Sequence, residues 1–434
     1  MVSPLHVVVL AAGEGSRMGA GLPKVLRPLW GRPSVKWPLL AAQSLGPERL
    51  VVVAGGRGEE PLRAALSEHD GLTVVRQVDP RGTGHAVLAA RPALEGARGD
   101  LLVLYGDGPL VTSELLAALV SSHRQSGADL TLLSVQLAEP TGYGRILRDA
   151  DGAMTGIVEE KDATPEQRQL TEVNAGLWIF DLAKGLERLA SVGSDNAAGE
   201  IYLTDLVQQT VAAGGEVAAL AWDRPEDVLG FNNHAELARA RSILRRRILD
   251  AHLAAGVEIV DPDSTFVDAD VELAPGATIQ PCTVIEGRVR VAAGCSVGPF
   301  ARLRNGTRLD AGAKVGNFTE TKQAHLGPGV KAGHLSYLGD TVVGAGTNIG
   351  AGTITANYDG HAKHKTVIGV GAFIGSGTVL VAPTHVGDGA LTGAGSVVTR
   401  DSSLPDGSVW VGVPARQLQQ LADKTSKRAR PETS

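Results

Sequence analysis

The chain has 434 residues, 55 of them Gly and 22 Pro, with aromatics at 4% and a formal charge of −6. That length exceeds one ordinary hydrophobic core and predicts two or three domains; the Gly-rich, ring-poor composition suits tight turns rather than a helical bundle, and the acidic balance argues against a nucleic-acid binder. Cys282 and Cys295 offer neither metal spacing nor a disulfide framework, no apolar run approaches the roughly 20 residues of a membrane helix, and no signal-peptide pattern opens the chain, so a cytoplasmic protein is expected.

Residues 5–12 (Leu-His-Val-Val-Val-Leu-Ala-Ala) are a short apolar run bounded by Gly, the pattern of a buried parallel strand. Similar runs stand at 50–54, 101–105 and 130–135, with helical periodicity between them at 59–68 and 112–125. Strands alternating with helices predict βαβ units and an open sheet covered on both faces. Ligands of such sheets lie at the carboxyl ends of the strands. From Asn233 to Ala255 the sequence turns helical, without Pro or Gly. Its Arg239, Arg241, Arg245, Arg246 and Arg247 could form a nucleic-acid patch, but a solvated helix between two domains is the reading adopted.

After residue 260 aliphatic residues fall six apart: Leu273, Ile279, Ile285, Val291, Val297, Leu303, Leu309 and Val315. A second run gives Ile368, Ile374, Leu380, Val386 and, after Thr392, Val398. A period of six belongs to neither helix nor hairpin; it predicts a parallel β-helix of hexapeptide repeats, each coil stacking its aliphatic rung on the next. The interruptions at 317–325 and 355–366 are expected as loops thrown out of the solenoid, where such folds keep function. The polar residues 417–434 are expected to form a flexible tail.

Directly after the first strand comes Leu10-Ala11-Ala12-Gly13-Glu14-Gly15-Ser16-Arg17-Met18-Gly19, then Leu22-Pro23-Lys24. The glycines give G-x-G-x-x-x-G rather than the dinucleotide fingerprint, and nothing matches a Walker loop. What the loop has is two cations, Arg17 and Lys24, beside backbone amides that can meet phosphate oxygens. That combination suits a triphosphate whose charge shifts onto departing pyrophosphate.

The run L-A-A-G-x-G-[ST]-R-M followed by L-P-K resembles the signature of the sugar-1-phosphate nucleotidyltransferases. The resemblance implies that Leu10, Ala11, Ala12 and Gly13 line the UTP site with Arg17 and Lys24 stabilising transferred charge. Gln77, Gly82 and Thr83 match its uracil-reading stretch. Tyr105, Gly106 and Asp107 end the third apolar run; a lone Asp there is otherwise a turn former, but in this family it holds Mg²⁺ with an Asn matching Asn232. Gly144, Glu159 and Asn174 match sugar-binding positions. Two departures stand out: Pro80 replaces a base-contacting Gln, and Gly108 a small aliphatic residue.

The second half resembles the glucosamine-1-phosphate N-acetyltransferases, the two together being the pattern of bacterial bifunctional enzymes of UDP-N-acetylglucosamine synthesis. His334, in Lys-Ala-Gly-His-Leu-Ser-Tyr-Leu-Gly-Asp, is then the general base, with Glu320 orienting it. Arg304, Lys322 and Lys363 match cations for a sugar phosphate, and Tyr337, Asn348, Asn357 and Tyr358 shape the sugar pocket. Asn357 and Tyr358 also border the acetyl-CoA track marked by Ala351, Ser376, Ala394 and Arg416, where Gly412 replaces an Arg of the family and the stretch from Val260 to Arg304 is short by more than one coil. The resemblance implies an α/β Rossmann-like nucleotidyltransferase domain over 1–230, a linker helix over 231–255 and a left-handed parallel β-helix over 256–416, assembled as a homotrimer without nucleic-acid or membrane partners. Two alternatives stay open: a single-activity nucleotidyltransferase whose β-helix only oligomerises, and a non-catalytic regulatory relative.

Overall fold

The computed structural model describes residues 3–13, 18, 21–69, 71–193 and 199–418. In chain order the strands of its first sheet are β1 (Leu5–Ala11), β2 (Arg49–Gly55), β3 (Leu72–Gln77), β4 (Asp100–Tyr105), β5 (Leu130–Gln136), β6 (Arg145–Arg148), β7 (Met154–Val158), β8 (Glu172–Asp181) and β9 (Val217–Trp222). The strand order is β9-β5-β8-β4-β1-β2-β3, with β6 on β8 and β7 on β6. All seven residues of β1 are buried because both faces are covered. Val7 and Val9 point into one core layer and Val8 and Leu10 into the other, as strand alternation requires.

The four apolar runs expected as strands are β1, β2, β4 and β5. The sheet differs from an all-parallel one at its centre, where β8 runs antiparallel between β4 and β5. Its apolar run Trp178-Ile179-Phe180 is buried like that of any central strand, and composition does not encode direction. Helices α1 (Lys36–Gln43), α2 (Glu59–Ala65), α3 (Thr83–Ala89), α4 (Ser113–Ser126), α5 (Leu182–Ala190) and α6 (Asp205–Ala212) complete the first unit.

Helix α7 (His234–Ala254) is capped by Asn233, whose Oδ1 accepts from the Glu236 backbone N–H at 2.9 Å. The chain divides into two compact units within this helix, Met1–Ile243 and Leu244–Ser434.

In the second unit the period of six becomes the geometry of a left-handed β-helix. Thr278, Ser296 and Lys314 pair in parallel register, 18 residues apart, so three hexads make one coil. All eight aliphatic residues of the first run are buried, from Val297 and Leu303 at 0% exposure to Leu273 at 8%. Interior hydroxyls pair across coils, Thr307 with Thr321 at 3.0 Å and Thr378 with Thr392 at 2.9 Å, which removes the cost of burying them.

The stretch 317–325 departs from expectation. It is no expelled loop: Lys314–Asn317 and Glu320–Leu326 are strands, and the coil closes with one residue fewer. Arg302 pairs with Glu320 and Arg308 with His325, separations of 18 and 17 residues. Skipping one position breaks the hexad pattern in sequence without breaking the coil. The second interruption is a loop between the strands Ile354–Ala356 and Thr366–Ile368, closed by a bridge between Tyr358 and Lys363.

Candidate active sites

β1 and β4 are adjacent and parallel, so their carboxyl ends open on one edge. Leu10 and Ala11 are buried strand residues, Ala12 and Gly13 begin the loop, and the Gly106 N–H donates to Leu10 O at 2.8 Å. Two residues past β4, Asp107 faces Lys24, which enters from the turn Lys24–Leu26. The Lys24 ammonium is 2.5 Å from Asp107 Oδ2 and 2.8 Å from Asn232 Oδ1, with only 10% of its side chain exposed. The Phe231 ring centroid lies 5.6 Å away, in cation–π range. Asp107 and Asn232, 125 residues apart, thus converge on one positive charge. Their oxygen donors suit a hard divalent ion such as Mg²⁺.

Asn232 has its amide turned by its neighbours. Glu236 Oε2 accepts from the Asn232 backbone N–H at 2.6 Å and from Nδ2 at 3.3 Å. A carboxylate on the nitrogen and an ammonium on the oxygen leave one orientation for the amide. Glu236 stands at the third position of α7, where a capping-box acid belongs.

An open cavity of about 1250 Å³ extends from Asp107 and Asn232 past Gly144, Glu159 and Asn174. Gly144 is tightly hemmed in: a Cβ there would sit 2.8 Å from Ile157. Burial pushes the Glu159 carboxyl above its usual range, opposed by the Thr204 hydroxyl donating at 3.0 Å. Asn174 Oδ1 accepts from the Gly176 N–H, which leaves Nδ2 for a ligand. Burial also raises the Tyr105 phenol, helped by the negative charges of Glu159 and Asp107, so it stays a neutral donor. Gln77 is buried and commits its Nε2 to Gly82 O and the His85 ring. Gly82 has φ 98° and packs so that a Cβ would meet Ile201 O at 2.5 Å. Thr83 Oγ1 accepts from the Leu203 N–H at 3.0 Å. This glycine-threonine turn therefore docks on the 201–203 segment first. Arg17 lies outside the described residues.

In the second unit, register builds a column. Lys314, Lys331, Asn348, Phe373 and Leu391 are paired coil to coil. The residues three further along are Asn317, His334, Ala351, Ser376 and Ala394. His334 therefore heads the positions expected to follow acetyl-CoA. Its ring partner is Asn317, with Nδ1 2.9 Å from Oδ1. Glu320, expected to orient the ring, instead accepts from Arg304 at 2.7 Å. The Lys363 ammonium holds Lys322 below the usual lysine range and Arg304 adds to the effect, the mark of cations gathered where an anion belongs.

Over Gly339, the Tyr337 hydroxyl and Asn357 Nδ2 converge, 2.6 and 2.7 Å from where a Cβ would lie. Asn357 donates through Nδ2 to Asp340, so its oxygen is the atom left to face a ligand. The adjoining loop is pinned by Asp359, which accepts from the N–H groups of Ala362 and His361 and contacts His364 at 2.6 Å and Arg400 at 3.2 Å. Those backbone bonds depress its carboxyl. Tyr358 stays exposed, its hydroxyl donating to Gly360 O at 2.6 Å. Arg416 is exposed and pairs with Val411 in an antiparallel ribbon.

Comparison with known proteins adds to this geometry. Residues 7–170 match the MobA-like NTP transferase domain family. Proteins named bifunctional protein GlmU are similar along most of the chain. The one from Syntrophotalea carbinolica is 42% identical over 416 residues, covering 88% of this chain and 89% of its own. That of Kineococcus radiotolerans is 44% identical over 417 residues (88% and 85%), and that of Geobacter sulfurreducens 40% over 433 residues (88% and 91%). The chain belongs to the GlmU family.

Sequence reasoning passed over several residues that build these sites. Arg145, 1% exposed, donates to Glu160 at 2.7 Å, to the carbonyls of Leu170 and Arg168 and to Tyr143 O. It ties the turn carrying Gly144 to the segment following Glu159, and its only sequence signal is its place after Gly144. Asn317 was findable as the residue one coil, 17 positions, before His334. Glu236 and Asp340 were findable only as acids near matched amides.

Proposed function

We propose that each unit is a transferase: the second acetylates glucosamine-1-phosphate from acetyl-CoA, and the first moves UMP from UTP onto the N-acetylated product, giving UDP-N-acetylglucosamine and pyrophosphate. The observation that carries this reading is a separate polar cluster in each unit: Lys24 with Asp107 and Asn232 in the first, and Arg304, Lys322 and Lys363 drawn together in the second, which also carries the Asn317–His334 pair.

In the first unit the sugar-1-phosphate oxygen attacks the α-phosphorus of UTP, and the bond to the bridging oxygen breaks as pyrophosphate leaves. A phosphate monoester dianion is itself the nucleophile, so no protein base is required. Lys24 meets the negative charge building on the phosphoryl oxygens, and the cavity around Glu159 and Asn174 orients the sugar. Asp107 and Asn232 would hold Mg²⁺, which supplies further neutralisation of phosphate charge.

In the second unit Arg304, Lys322 and Lys363 hold the sugar phosphate. The amine attacks the thioester carbonyl, His334 takes its proton, and the C–S bond breaks as the thiolate leaves and is protonated in turn. Asn357, whose Nδ2 is committed to Asp340, would accept from that amine through Oδ1. The column Ala351, Ser376 and Ala394 follows the coenzyme, with Arg416 near its far end. A homotrimer built through the β-helix, working in the cytoplasm, completes the reading; no helix among the described residues is long and apolar enough to cross a membrane.

The test is a substrate panel on the purified chain. Thiol release from acetyl-CoA should need glucosamine-1-phosphate, and pyrophosphate release from UTP should need N-acetylglucosamine-1-phosphate and Mg²⁺. Pyrophosphate release without any thiol release would reduce the protein to a single-activity nucleotidyltransferase.

A further inference from the structure

We infer that Asn317 is the positioning residue for His334: its amide oxygen holds the imidazole as the Nδ1–H tautomer and turns Nε2 out as the basic nitrogen. The inference deepens the acetyl-transfer reading and rests on it. An amide oxygen can only accept, so the ring nitrogen 2.9 Å from Asn317 Oδ1 carries the proton. A neutral imidazole keeps its lone pair on the other nitrogen, here Nε2.

The contact does not depend on two wandering side chains. Backbone pairing sets Asn317 and His334 opposite each other on adjacent coils. The neighbouring pair is packed backbone to backbone, since a Cβ on Gly316 would run into the Gly333 carbonyl. One coil further along, the same position is Ala351, whose methyl offers no rival hydrogen bond. The ring is therefore gripped from one side and open on the other.

The partner is an amide where sequence resemblance leads one to expect a carboxylate. Glu320 is held by Arg304 at 2.7 Å. The charged groups on the strands stacked about the ring are Lys314 on the coil before and Lys331 on its own; the coil after carries the uncharged Asn348 at that register. Asn317 thus fixes the tautomer without placing a negative charge against the ring. A carboxylate in the same place would stabilise the imidazolium and push the ring's titration upward.

Three measurements test this. In ¹⁵N NMR of the histidine-labelled chain at alkaline pH, the His334 signals, assigned by their loss in His334→Ala, should show a protonated Nδ1 and a bare Nε2. An Nε2–H tautomer overturns the proposal. Asn317→Leu should lower kcat for acetyl transfer by about tenfold to a hundredfold, with both KM values within about twofold. Asn317→Asp should recover much of that rate at high pH while moving the acid limb of kcat/KM upward by about one unit or more. An unchanged kcat in the first variant with an unmoved profile in the second also overturns it. Absence of acetyl transfer in the wild type would instead remove the underlying reading, and the tautomer measurement would then decide the Asn317 assignment alone.

Discussion

Two amides, Asn232 and Asn357, share one physical device: a neighbour that can only donate or only accept decides which end of the amide faces the site. Asn232 and Asn357 turn their nitrogen to Glu236 and Asp340 and keep an oxygen for a cation or an amine. Lys24 is the cation that Asp107 and Asn232 both face, so a divalent ion using those oxygens must compete with the ammonium. Two unit charges about 4 Å apart interact by ~4 kcal/mol at an effective dielectric of about 20. Lys24→Met should therefore bind Mn²⁺ at least about tenfold more tightly than the wild type when titrated without nucleotide and followed by electron paramagnetic resonance. Equal affinities would mean that the ammonium and the metal do not share the oxygens. Asn232, Asn317 and Asn357 stand inside recognisable motifs, but the motifs do not record which group each amide meets. A hydrogen-bond partner such as Glu236 is chosen by helix geometry, and Asp340 by the stacking of coils.

Elements are held by close contacts that composition does not reveal. Gly185 lies within α5, where Ala would ordinarily gain ~0.5–1 kcal/mol of helix stability. A Cβ there would run into the ring of Phe180, itself 1% exposed. Gly185→Ala should therefore destabilise the chain, by about 1–3 kcal/mol from overpacking, in urea unfolding followed by circular dichroism; a stabilised variant would show that the ring moves freely. Asp129, just before β5, receives Lys184 at 2.6 Å and Arg188 at 3.1 Å from α5, which together hold its carboxyl below the usual range. A depressed carboxyl stabilises the fold above its unfolded pKa of about 3.9, and the gain is lost as pH falls through the folded value. Asp129→Asn should thus be less stable than the wild type near neutrality, and the gap should close below about pH 4. A gap independent of pH would mean that shape, not charge, couples the helix to the strand. The same limit appears in the coil at 317–325: a single skipped residue looked like a loop in sequence, while the strand pairing absorbed it.

Across the whole molecule, two clusters stand in two separately compact units. Asp107→Ala should abolish Mg²⁺-dependent UDP-sugar formation and leave acetylation intact, and His334→Ala should do the reverse. Both are read by parallel thiol-release and pyrophosphate-release assays, and loss of both activities from either variant would mean that the units do not work independently. By itself the sequence determined the α/β half, the β-helix and the motif positions, because short apolar runs, side-chain periods of six and 3.6 and short runs of chemistry are local properties. Only the tertiary structure decided that β8 runs backwards through the centre of the sheet, that Asp107 and Asn232 share Lys24, and that Asn317 rather than Glu320 holds the His334 ring. Strand direction, the meeting of residues 125 positions apart and the choice of a hydrogen-bond partner across coils all arise when distant segments pack, and no local pattern records them.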